Sequence, residues 1–262
     1  MINIEQILSY YPEQIQKTKK VHIIREYLQF MLLNHLSNSK YAKDICFIGG
    51  TNLRLIHGID RFSEDLDFDN KNMSRKKFIH MTDSLIKHLQ NNGMNVIADD
   101  KSKDDRLVAF RRNLIFPQFL YNNGLSPFKD AKFLIKIESQ DQGVVYKPEI
   151  FLMNGGGYIF NFPAAPANVL CSMKIAALLS RQKGRDFYDT MFLLSKTQPD
   201  YAFLKERTGI SSPHELKKAL LQTAKNTDLN HKSKDFEHLI IDRNNAKKIL
   251  LFSDFISKVI AD

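Results

Sequence analysis

The stretch FIGGTNLRLIHGIDRFSEDLDFD, residues 47–69, constrains the fold of this chain more than any other. The apolar run from Ile45 to Ile48 has the composition of a buried strand, and Gly49-Gly50 breaks it into a tight turn. Residues 52–57 then suit a short helix. From Asp65 to Phe68 charged and apolar side chains alternate, as they do on a strand with one buried face. On such a strand Asp65 and Asp67 project from the same side. A segment of this kind requires a sheet with its acids displayed on one face.

The rest of the chain supplies that sheet and its cover. Residues 15–37 carry Ile24, Tyr27, Leu28, Met31 and Leu32 at helical spacing, and 74–90 form a second helix stopped by Asn91-Asn92-Gly93. Strands are expected at 94–98, 106–115, 131–138 and 148–153. After Gly155-Gly156-Gly157 and Pro163/Pro166 the pattern turns helical, most clearly at 169–181, 185–195, 213–224 and 243–260. The expected class is α+β, with an α+β domain over 1–163 and a helical domain over 164–262.

A chain of 262 residues, 43% hydrophobic and 26% charged, has ample material for a core. The polar N-terminus has no signal-like apolar region, and no apolar run reaches the roughly 18–20 residues of a membrane helix. Cys46 and Cys171 lie in apolar stretches without metal-ligand spacing, so a reducing, cytoplasmic setting without a membrane partner is expected. A net charge of +9 favours a polyanionic partner, without choosing between RNA, DNA and an acidic protein.

Two carboxylates on one strand face can share a hard, oxygen-seeking cation such as magnesium, which in turn bridges triphosphate oxygens. Gly49 and Gly50 let backbone amides approach a phosphate closely, and Thr51 adds a hydroxyl at the start of the short helix. An isolated DxD is most often a solvated loop, and a Gly-Gly after a strand is most often a plain turn. Their ordered combination, with Leu66 and Phe68 interleaved, is what singles them out. Downstream, Lys174 and Arg181 are nearly two helical turns apart and project from one face, where they can clamp a triphosphate or an RNA backbone. A solvated basic stripe has the same spacing. Asp186 and Asp189 also share a helix face, either anchoring Arg181, Lys183 or Arg185 or acting directly.

These two landmarks resemble the AbiEii/AbiGii toxin family of nucleotidyltransferases. GGTNLRLIHGIDRFSEDLDFD is similar to its GG[ST]-x-L and R-x-S-x-DLDF elements, and MKIAALLSRQKGRDFYD, residues 173–189, to its lysine-bearing helix followed by RD-x-x-D. The resemblance spans roughly residues 47–194. It implies a polymerase-β-like core with a mixed sheet, followed by a helical half that completes the active-site cleft. It also implies a toxin of a bacterial toxin–antitoxin or phage-defence pair, with a possible cognate antitoxin.

On this resemblance Asp65 and Asp67 hold Mg2+ or Mn2+, and Glu138, on the polar face of a neighbouring strand with Lys136, is the candidate third metal ligand. Gly49, Gly50, Thr51, Lys174 and Arg181 are the nucleotide-binding set. Lys174 and Asp186 join Asp65 and Asp67 as catalytic residues, with Asp189 the alternative to Asp186. Arg61 is expected to brace the DxD turn, Ser63 matches the family element, Asp69 extends the alternation and His57 is structural. The expected reaction is attack by an RNA end, such as the tRNA 3′ hydroxyl, on a nucleoside triphosphate. Modification of a protein or small molecule, nucleotide or RNA binding without transfer, and a DxD glycosyltransferase are the competing classes.

Overall fold

The computed structural model describes residues 2–99 and 109–260. The chain divides into two compact units. The first comprises Met1–Ile56, Phe62–Gly143 and Pro148–Ala164, and the second His57–Arg61, Val144–Lys147 and Ala165–Asp262. The first carries the sheet and the second is helical, which is the α+β class expected.

The first unit opens with α1 (Ile4–Ser9) and α2 (Glu13–Ser37), the helix expected at 15–37. β1 (Ile45–Ile48) runs into α3 (Gly49–Leu55), which starts at the glycine pair, not after it. β2 (Asp65–Asn70) follows, then α4 (Arg75–Asn91). Ser74 caps α4 by accepting from the Lys77 N–H, and Phe78, Met81, Leu85 and Leu89 form its buried stripe. Then come β3 (Ile97–Asp99), β4 (Phe110–Ile115), α5 (Phe119–Asn122), β5 (Leu134–Gln140), β6 (Glu149–Gly155) and β7 (Tyr158–Ala164). The start of the strand expected at 106–115 lies partly outside the described residues.

The strands form one sheet in the order β3-β4-β5-β2-β1-β7-β6. β1 pairs with β7, and β2 with β5, in parallel; the other neighbours are antiparallel. β1 is buried throughout, as its unbroken apolar run requires. Phe47, Phe68 and Phe162, from β1, β2 and β7, pack ring against ring at 5.9–6.3 Å between centroids. This aromatic layer fixes the outward direction of the acids that alternate with Leu66 and Phe68.

β7, Tyr158–Ala164, is a strand that the sequence pattern does not predict. Gly155 pairs with Tyr158, so Gly156 and Gly157 are a two-residue hairpin loop, with φ of 58° and 82°. Both central residues are left-handed, as a type I′ turn demands. The glycine run therefore turns the chain back into the sheet and does not end it.

The second unit holds α6 (Ala167–Arg181), α7 (Gly184–Leu194), α8 (Tyr201–Thr208), α9 (Pro213–Lys225), α10 (Leu229–Lys234) and α11 (Phe252–Val259). The helix expected over 243–260 divides. Arg243–Leu251 is a 3₁₀ helix whose buried Ala246 and Ile249 stand at the three-residue spacing that this geometry brings to one side, a spacing continued to Phe252 at the start of α11. From Phe252 the buried spacing becomes four, at Ile256 and Ile260, and the chain turns α-helical. Gly184 lets α7 start hard against α10, since a Cβ there would lie 2.8 Å from the Lys232 carbonyl carbon.

Candidate active site

Each unit carries a cluster of charged side chains, built by its own elements, at a sequence-predicted site residue. In the first, Asp65 and Asp67 are half-buried on one face of β2, while Leu66 and Phe68 fill the other. Parallel pairing sets Lys136 of β5 beside Asp65 and Glu138 beside Asp67. The antiparallel β4 places Arg111 beside Glu138. Lys136 Nζ lies 3.0 Å from Asp65 Oδ2 and 2.9 Å from Glu138 Oε1, and Arg111 Nε lies 2.9 Å from the same Glu138 oxygen. Burial alone would push Lys136 down, but its bonds to Glu138 and Asp65 outweigh this and hold it above the usual lysine value. It is an ammonium embedded among carboxylates.

Gly49 sits beneath this face. Its φ is +84°, and a Cβ there would stand 2.7 Å from the Cβ and Cγ of Asp67. The position thus needs glycine twice, for its left-handed backbone and for the side chain laid over it. Gly50 and Thr51 are buried in the first turn of α3. The Thr51 hydroxyl donates to the Asp65 carbonyl oxygen and ties α3 to β2. Asp69, next along the face, is buried and accepts from the Gln142 N–H at 2.9 Å. The Ser63 carbonyl accepts from Gln29.

In the second unit Asp189 of α7 is fully buried between two cations. Arg61 forks onto it, Nε to Oδ1 and Nη2 to Oδ2, both at 2.7 Å. Lys174 Nζ of α6 stands 2.9 Å from Oδ2. Burial by itself would push the Asp189 carboxyl up, but Arg61 and then Lys174 outweigh it and hold the group well below the usual carboxylate range. Asp186 is engaged separately. Its oxygens accept from Arg181 Nε at 2.9 Å, Arg181 Nη2 at 2.7 Å and the Lys183 N–H at 3.1 Å, closing the first turn of α7. Lys174 and Arg181, expected as one clamp, are therefore held by different aspartates. The Lys174 side chain is 9% exposed and that of Arg181 44%. The His57 carbonyl accepts from Lys196 Nζ.

Asp65, Asp67 and Glu138 thus share a sheet face, in the register that alternation suggested. The Glu138 carboxylate, however, is turned to Lys136 and Arg111. Among the described residues, no three His, Cys, Asp or Glu side chains converge on a point that a metal ion could fill. The Asp65/Asp67 pair suits a hard cation in donor chemistry, and the Lys136 ammonium already shows a positive charge seated there. The Asp189–Arg61 fork has no local sequence signal, because the partners are 128 residues apart.

The family described as "Nucleotidyl transferase AbiEii toxin, Type IV TA system" matches residues 31–250, which include both clusters. The chain belongs to the AbiEii family. It is a nucleotidyltransferase toxin of a type IV toxin–antitoxin system. Its fold is similar to that of JHP933 from Helicobacter pylori, at 18% identity and TM-score 0.54, with 90% of this chain and 92% of that chain covered. It is likewise similar to MenT4, a nucleotidyltransferase toxin from Mycobacterium tuberculosis, at 13% identity and TM-score 0.58, covering 98% and 90%. No curated protein matches the chain. Among the described residues no helix is long and apolar enough to cross a membrane. Membership also disposes of the glycosyltransferase reading.

Within this AbiEii protein, Gly49 supports a sharp comparison. Gly58 is left-handed too, at φ +72°, but a Cβ there would meet nothing within 4 Å. Both Gly49→Ala and Gly58→Ala incur backbone strain of about 1–3 kcal/mol. Only Gly49→Ala displaces Asp67. Nucleotide transfer is expected to fall at least about tenfold in Gly49→Ala and to stay near wild type in Gly58→Ala. Equal activities would remove Asp67 positioning as the reason for the glycine.

Proposed function

We propose that this toxin transfers a nucleoside monophosphate from a nucleoside triphosphate to an RNA end, the 3′ end of tRNA being the favoured acceptor. The observation that carries the reading is Asp65 and Asp67 side by side on β2, with Gly49 closing the turn beneath them. The acceptor hydroxyl attacks the α-phosphorus in line, and the bond to pyrophosphate breaks as the new ester forms. Asp65 and Asp67 would hold Mg2+ or Mn2+, which would neutralise triphosphate charge. The Gly49 and Gly50 backbone leaves room for close phosphate approach. Lys174, held in one orientation by Asp189 and Arg61, steadies charge on the phosphates. Asp186 acts through Arg181, whose partly exposed guanidinium it orients.

Charge supports the RNA acceptor. Besides the net +9, the first unit has a cavity of about 350 Å3 lined by Lys40, Lys43, Lys76, Lys77 and His80, with Asp44, paired to Lys77, the only acid in its wall among the described residues. Such a surface suits a phosphate backbone. A cognate antitoxin is the other partner the reading calls for. The test offers each of the four α-labelled triphosphates with total bacterial RNA. Label is expected at the 3′ end of the tRNA-sized fraction, and incorporation should weaken steeply as salt rises. Label confined to protein, or transfer indifferent to salt and RNA, would replace the RNA acceptor with a protein or small molecule.

A further inference from the structure

Lys136 has no role in the reading above, yet it sits at the centre of the acidic face. Its ammonium bridges Asp65 Oδ2 at 3.0 Å and Glu138 Oε1 at 2.9 Å. It reaches both because β5 runs parallel to β2 with Lys136 directly opposite Asp65. The side chain is 32% exposed, so the contact is partly withdrawn from water, unlike an ordinary surface pair. Around Lys136, three carboxylates (Asp65, Asp67, Glu138) outnumber two cations (Lys136, Arg111), and Asp69 further along the face adds another acid, so the face stays net negative. With Lys136 between them, Asp65 and Glu138 are neutralised by the protein itself.

We propose that Lys136 is the resident counter-cation of this site, a positioning residue that holds the carboxylates together before loading and that must leave Asp65 for a divalent ion to bind. This rests on the assignment of Asp65 and Asp67 as the metal-holding pair. The sign of the effect is the distinguishing point. If Lys136 merely braced the sheet, its loss would loosen the carboxylates and weaken metal binding. If it occupies the cation position, its loss removes the ammonium from Asp65 Oδ2, makes the face one charge more negative, and strengthens metal binding. A unit charge a few ångströms from a divalent ion is worth on the order of tenfold in affinity even with nearly aqueous screening.

The experiment titrates Mn2+ into the full chain without nucleotide, following free Mn2+ by electron paramagnetic resonance and the melting temperature in parallel. Wild type, Lys136→Met, Lys136→Arg and Asp67→Asn are compared. Lys136→Met should bind Mn2+ about tenfold or more tightly than wild type. Its melting temperature should be lower without metal and recover as Mn2+ is added. Lys136→Arg keeps the charge and should stay near wild type, which also covers the case in which the Met variant folds poorly. Unchanged or weaker Mn2+ binding in Lys136→Met, or tightening in Lys136→Arg equal to that in the Met variant, overturns the proposal while leaving the metal pair standing. Mn2+ binding that is absent from wild type and Lys136→Met alike, or unaffected by Asp67→Asn, overturns the metal assignment and this proposal with it.

Discussion

Asp65→Asn and Asp67→Asn should each cut nucleotide transfer by at least about 100-fold while leaving the protein folded. The reasoning combines position and charge. Both side chains lie on the half-buried face of β2, and the packing of that strand comes from Leu66 and Phe68 on the other side. An amide keeps the carboxylate's shape, so the aromatic layer and the Gly49 turn are undisturbed. What disappears is the negative charge needed to hold a divalent cation against a triphosphate. Losing one preorganised electrostatic contact at a reacting phosphate is commonly worth about 100- to 1,000-fold. Incorporation of α-labelled nucleotide measures the loss, and circular dichroism melting tests the fold. Activity within a few-fold of wild type in either variant, or full activity in excess chelator, would sink the metal pair.

The second large effect belongs to Asp189. Asp189→Asn leaves Arg61 and Lys174 buried without their anion, and breaking a buried pair from one side costs about 3–5 kcal/mol. For a protein of this size that corresponds to a melting temperature lower by on the order of 10 °C. Lys17→Ala is the control. Its pair with Glu13 is more than two-thirds exposed on both sides, and its loss should cost no more than about 1 kcal/mol.

The pH dependence has a definite sign. Because Arg61 and Lys174 override burial and hold the folded Asp189 pKa well below its unfolded value near about 3.9, the contribution is complete above that value. It is lost as pH falls below about 4 toward the folded pKa. Melting curves from neutral to strongly acidic pH should show a component of acid destabilisation in wild type that Asp189→Asn lacks. Coincident slopes, or an Asp189→Asn midpoint matching that of Lys17→Ala, would mean that the triad does not stabilise the second unit.

Of this protein's architecture, what local chemistry controls was already determined by the sequence. The strand Ile45–Ile48, the alternation at Asp65–Asn70 and the lysine-bearing α6 follow from side-chain period and burial, which act over a few residues. The same reasoning placed Glu138 on a polar strand face, and the sheet sets it beside Asp67. The glycine run before β7 shows the limit of that logic. Glycine permits a left-handed turn or a loop equally well, and the pairing of Gly155 with Tyr158 decides between them.

Tertiary structure alone decided which charges meet. Nothing in the periodicity of α7 says that Asp186 closes its own helix turn with Arg181 while Asp189, one turn on, takes Arg61 from a distant segment. Nor does the alternation Lys136-Ile137-Glu138 reveal that the lysine reaches across to Asp65, since that depends on the parallel register of β5 against β2. Hydrophobic patterning is a sum over many interchangeable contacts and survives without knowledge of partners. An ion pair is one contact between two particular atoms a few ångströms apart, and only the packed chain brings them there.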